Sequence, residues 1–137
     1  MKLVTGFLLI SFMACAFIAC QKEVTFNLND PSSGTLKSSD LGDCLPSAVK
    51  GTYIANAILT NNNFIEVTLN VVIPGTYNIK SDTINGYSFS GTGTLNTSGL
   101  HTIKLQGSGI PVGAGIDLFS ISYNNASCKI PVNVVVE

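Results

Sequence analysis

From residue 44 onward the apolar residues of this chain recur at every second position, a period that dictates strands rather than helices. Ile65, Val67, Leu69, Val71 and Ile73 are apolar, and Glu66, Thr68 and Asn70 between them are polar. Successive side chains of a strand point to opposite faces, so such a pattern buries one face. The alternation returns in Tyr77 and Ile79, in Tyr87 and Phe89, in Ile103 and Leu105, and in Phe119, Ile121 and Tyr123. It closes with Cys128, Ile130, Val132, Val134 and Val136. Turn formers interrupt it at Pro74-Gly75 and at Asn85-Gly86. The second pair predicts a two-residue hairpin, because a type I′ turn needs positive φ at both central residues. With Tyr53 to Leu59 as an opening strand, the reading is about seven short strands in an all-β, two-sheet antiparallel sandwich over residues 44–137. Pro131 cannot donate to a ladder, so the last strand is expected at an edge or with a bulge there.

The first residues obey a different rule. Met1-Lys2 is a short basic start, and Leu3 to Ile18 is an apolar run broken only by Thr5, Gly6 and Ser11. It ends in Phe17-Ile18-Ala19-Cys20, followed by polar Gln21-Lys22-Glu23. A basic start, an apolar stretch and a small residue before the cut describe an export signal. The cysteine after that small residue makes the segment resemble a bacterial lipoprotein signal, with Phe17 where the family usually has Leu. The resemblance implies a signal peptide over 1–19, thioether lipidation of Cys20, cleavage before it and acylation of the new amino terminus, which together anchor the chain to a membrane. Three alternatives stay open: a second such string at Phe12-Met13-Ala14-Cys15, an ordinary cut at Ala14-Cys15-Ala16, and retention of the run as a membrane span. Residues 20–43 contain Asn29-Asp30-Pro31-Ser32-Ser33-Gly34 and Lys37-Ser38-Ser39-Asp40, and read as a flexible tether. Val24 to Leu28 alternates weakly enough to form at most a short edge strand.

Only 11% of the 137 residues are charged, the net charge is −1, and there is no arginine. A nucleic-acid partner is therefore not expected, since phosphate binding needs a basic surface. Once Cys20 is acylated and the leader with Cys15 removed, Cys44 and Cys128 are the remaining thiols. In an oxidising compartment they are expected to pair, and Cys128 shares the inward phase of Ile130. His101 has no carboxylate or serine at a spacing that marks a triad. Asp40 and Asp43 are too few for a calcium site. Gly91-Thr92-Gly93 and Gly107-Ser108-Gly109 lack the helix and Lys-Ser/Thr of a phosphate loop and read as turn glycines. No catalytic residue, metal or cofactor is expected. The alternation phase puts most of the aromatic rings inside and favours a core role for Tyr87 as well; beside the hairpin turn, it is still the best candidate for an exposed platform that stacks a sugar ring, with Tyr53 or Tyr123 beside it. Asp82-Thr83-Ile84 matches the D-[ST]-aliphatic pattern that Bacteroidota use for O-glycosylation, which makes Thr83 a candidate modification site.

Pro74-Gly75-Thr76-Tyr77-Asn78-Ile79 resembles the P-G-x-Y-x-[IV] step of bacterial immunoglobulin-like modules. Gly51-Thr52-Tyr53, Asn85-Gly86-Tyr87 and Gly107-Ser108-Gly109, set between Cys44 and Cys128, extend the likeness to secreted Bacteroidota modules. The resemblance implies an immunoglobulin-like sandwich on an envelope lipoprotein, most simply of the outer membrane. The functional expectation is a non-enzymatic protein that binds or scaffolds another envelope component. The alternative is a glycan-binding accessory lipoprotein, with a protein or a glycan as the partner.

Overall fold

The computed structural model describes residues 24–46 and 48–137. Its strands are β1 (Ser33–Leu36), β2 (Ala48–Lys50), β3 (Tyr53–Ile54), β4 (Phe64–Ile73), β5 (Gly75–Ser81), β6 (Tyr87–Leu95), β7 (Gly99–Gly109), β8 (Gly115–Tyr123) and β9 (Ala126–Val135). The described residues are all-β, as the two-residue period requires. The strands form one curled mixed sheet in the order β1-β4-β7-β6-β5-β8-β9-β3, with β2 on the flank of β4 that β1 also uses.

Hydrogen bonding does not separate into two sheets, and β5 is the reason. It pairs with β6 from Gly75 to Lys80, then turns its end to β8 through Lys80↔Ser122 and Ser81↔Ile121. Where β5 leaves β6, the Phe89 N–H donates to Ser81 Oγ instead of to backbone. The predicted Asn85-Gly86 hairpin forms just beyond. Both residues have positive φ, 51° and 84°, and Ile84 and Tyr87 exchange backbone hydrogen bonds.

The inward faces carry the residues that the alternation selects. Ile65, Val67, Leu69 and Val71 of β4 meet Ile103 and Leu105 of β7 on one side of the core. Phe119 and Ile121 of β8 with Ile130, Val132 and Val134 of β9 close the other. Ile73 and Val136, expected inside, are exposed, because each lies at or past the end of its strand, where nothing stacks above it. Tyr53 to Leu59 is a strand only at Tyr53–Ile54, which pairs in parallel with β9. Asn56 then adopts positive φ and ends it.

The expectation of a tether reaching to Asp43 is corrected from Pro31 onward. The Ser32 N–H donates to Thr76 O at 2.8 Å, the Thr76 N–H donates to Asp30 O at 2.8 Å, and β1 then pairs antiparallel with β4. Gly34 permits that approach, since a Cβ there would run into Asn70 O. Polar composition suggests a linker, but the open flank of β4 offers unpaired backbone groups that any extended segment can satisfy. Val24 to Asn27, by contrast, form no strand and are exposed.

The chain then joins the two flanks of the sheet. Leu45 donates to Lys37 O, and Ser39 donates to Asp43 O, so residues 37–45 fold back on themselves. Cys44 donates to Lys129 O at 2.9 Å, and Lys129 donates to Gly42 O at 2.8 Å. The expected disulfide, Cys44–Cys128, lies on this seam with Cα atoms 4.9 Å apart. Pro131 sits on the same outer edge of β9, between Lys129, which the 42–44 segment covers, and Val134, which β3 covers. Its missing donor therefore faces a stretch with no strand partner, and the β8–β9 register passes it without a bulge.

Candidate functional site

Of the two places open to Tyr87, an exposed platform beside the turn and the inward phase it shares with Phe89, the structure gives it the inward one. Its relative exposure is 1%, and Tyr53 and Tyr123 are buried too. Tyr87 is in phase with Phe89, and the inward phase overrides its place next to a turn. Its ring centroid lies 4.8 Å from that of Phe119 and 5.9 Å from that of Tyr53, and Phe89 lies 5.0 Å from Phe119. These rings meet edge-on or tilted, the arrangements that aromatic quadrupoles favour. They form the centre of the core and present no face to solvent.

The Tyr87 hydroxyl ends in a polar clasp. It donates to Asp117 Oδ2 at 2.9 Å, and Asn85 Nδ2 donates to the same oxygen at 2.9 Å. Asn85 Nδ2 also donates to Gly113 O, and the Gly113 N–H returns a bond to Asn85 Oδ1. The Asn85-Gly86 turn is thus fastened to residues 113–117. Burial first, and then the Asp117 carboxylate, push the Tyr87 phenol far above its ordinary range. Burial alone does the same to Tyr53.

A raised folded-state pKa means that the native chain keeps protons which the unfolded chain loses above about pH 10. This contribution to stability is complete below that pH and disappears as pH rises further. The 295 nm absorbance difference between wild type and a Tyr53→Phe/Tyr87→Phe variant is therefore expected to stay flat to about pH 11 while both remain folded. A phenolate step near pH 10 would contradict the burial of these two phenols.

The remaining candidates fall in separate places. Thr83 is exposed beside the turn, and its neighbour Asp82 accepts the Ser120 N–H at 2.9 Å, which holds the segment against β8. His101 Nε2 donates to Thr97 O at 2.9 Å, four residues back along its own hairpin. Ser39 caps the 39–43 turn, its Oγ accepting the Asp43 N–H at 3.0 Å. Among the described residues no group of three or more His, Cys, Asp or Glu side chains is placed to hold a metal. Among them, too, no helix is long and apolar enough to cross a membrane. Cys20 and the leader lie outside the described residues.

The glycine clusters, read as turns, lie inside β6 and β7. Gly93 faces Tyr77 across the ladder, and the tyrosine ring occupies the space a Cβ would need. Gly107 makes room for the edge of the Phe89 ring and for Asn63 O. They are packing glycines.

The described surface carries further features. An open cleft of about 620 Å³ lies at the seam between β1 and the β8–β9 turn, lined by Ser33, Gly34, Thr35, Asn124, Asn125 and Ala126. At the Gly115 end of the sheet, Ile58, Ile110, Val112 and Ile116 are exposed. Comparison with known proteins finds no matching family model, no matching curated protein and no matching solved structure.

Proposed function

We propose that this chain is a non-enzymatic bacterial envelope lipoprotein, anchored by acyl chains on Cys20, whose β domain binds or scaffolds another envelope component. The observation that carries the reading is the buried Cys44–Cys128 disulfide, which seals the sheet. Such bonds persist in oxidising compartments, and a chain reaches one only by export. The leader supplies the export signal, and Ala19-Cys20 supplies the resemblance to a lipidation site. Two or more acyl chains hold a protein firmly, at about 0.8 kcal/mol per buried CH₂. The outer membrane is the favoured address. A glycan platform is not carried forward, because its three tyrosines are interior.

The proposal extends to the fold: the curled sheet is an immunoglobulin-like sandwich whose sheets stay joined. Its run β1-β4-β7-β6 has the order of the A-B-E-D sheet, and β5-β8-β9 has the order of C-F-G. Retained pairing of β5 with β6 joins the two. Binding functions are common on such folds.

Proteinase treatment of intact cells and membrane fractionation, comparing wild type with Cys20→Ala, test the anchor. Wild type is expected in the membrane fraction, and the variant is expected to be released as soluble protein. Equal membrane retention of both would overturn lipidation at Cys20.

A further inference from the structure

We infer that the end of the sheet nearest the N-terminus is a lipid-docking surface, so that the domain rests directly on the bilayer. This inference rests on the Cys20 anchor proposed above. Its first support is reach. Four residue steps separate Cys20 from Val24, and a fully extended chain spans at most about 14 Å over that distance. Val24 is therefore held within a short distance of the headgroups. The chain is bonded into the sheet from Asp30 onward, which removes most of the spacer that composition had implied.

The second support is what surrounds that entry point. Val24, Phe26 and Leu28 are exposed and share a shallow depression with Asn96 of the β6–β7 turn. On the neighbouring end of the sheet, Val72 is 64% exposed and Leu100 63%. Leu100 lies opposite Asn70 in the β4–β7 ladder, so Val72, two residues on, is its diagonal neighbour on the outer face. Ile73, opposite Ser33, is exposed as well.

The third support is charge. Residues 24–29, 70–73 and 94–100 contain no charged side chain. Asp30, at the border, accepts the Asn27 side-chain amide. An uncharged apolar rim suits the boundary between headgroups and acyl chains, where interfacial apolar side chains insert. The exposed apolar residues at the other end do not compete for this role. The ten-residue strand β4 is about 33 Å long, which places Ile116 and its neighbours well beyond the reach of the anchor.

The chain contains no tryptophan, so a single introduced one is a clean reporter. Full-length protein, purified from membranes in its processed form, is reconstituted into phosphatidylcholine vesicles with or without brominated acyl chains. Three variants are compared: Phe26→Trp, Leu100→Trp and, as the distal control, Ile116→Trp. On brominated vesicles Phe26→Trp and Leu100→Trp are expected to lose about half of their emission and to shift to the blue, while Ile116→Trp is unchanged. Vesicle-bound protein in which Leu100→Trp is quenched no more than Ile116→Trp would overturn the docking surface and leave the anchor standing. Protein that fails to associate with the vesicles would overturn the anchor, and the docking surface with it.

Discussion

Replacing Cys44 and Cys128 by alanine, or reducing the bond between them, is expected to lower folding stability by about 4–5 kcal/mol. The bond closes a loop with a sequence separation of 84, and cross-linking so long a loop removes much of the freedom of the unfolded chain. The native side of the balance points the same way. The disulfide joins the residue after Asp43 to β9 on the seam where Cys44 and Lys129 exchange backbone hydrogen bonds with the chain opposite. Without the bond, the 42–44 segment has only those few hydrogen bonds to keep it on the edge of β9, and an uncovered strand edge invites pairing with another chain. Domains of this size have about 5–15 kcal/mol in all, so the loss leaves a marginal fold. Urea unfolding with and without reductant measures it. With a slope near 1.5 kcal/mol/M, the midpoint falls by about 3 M. A shift worth less than about 1 kcal/mol would mean that the seam holds without the bond.

Phe119→Ala is the second large effect, expected at about 3–5 kcal/mol. Phe119 is fully buried at the centre of the ring cluster, edge-on to both Tyr87 and Phe89. Those two rings cannot close over the vacated space. Tyr87 is held by its hydroxyl bond to Asp117, and Phe89 is held by its N–H bond to Ser81 and by the close fit of Gly107 against its ring. Cavity cost grows when neighbours are prevented from relaxing. Phe119→Leu retains much of the volume and is expected to cost clearly less. Thermal or urea unfolding of the two variants under oxidising conditions provides the comparison. Equal losses for Ala and Leu would show that the cluster is not the rigid centre described.

The residues that follow a two-residue period were legible because each inward position has only one face to occupy. Ile65 to Val71, Ile103, Leu105 and Cys128 to Val134 are all where their phase puts them. Asn85-Gly86 was legible because few other dipeptides tolerate positive φ twice. The β8–β9 hairpin was not read from the sequence; Asn124 takes φ of 51° to close it. Residues 31–43 were not legible. Their place depends on the backbone of β4 and β9, and a sequence pattern does not reveal which flanks stay open. Tyr87 carried two conflicting signals, turn adjacency and phase, and packing decided for phase. Asp117 marks where the clasp could have been found. It shares the inward phase of Phe119 and Ile121, and a carboxylate on an inward phase needs hydrogen-bond donors. Tyr87 and Asn85 supply them.

The proposed protein is an exported chain, processed at Cys20 and sealed by a disulfide. Intact-mass spectrometry of the native protein from the membrane fraction tests all three at once. The expected mass is that of a chain beginning at Cys20, increased by a thioether-linked diacylglyceryl group and an amide-linked acyl chain and reduced by the two hydrogens lost when Cys44 and Cys128 pair. An unacylated chain beginning at Met1, recovered from the cytosol with both thiols free, would contradict it.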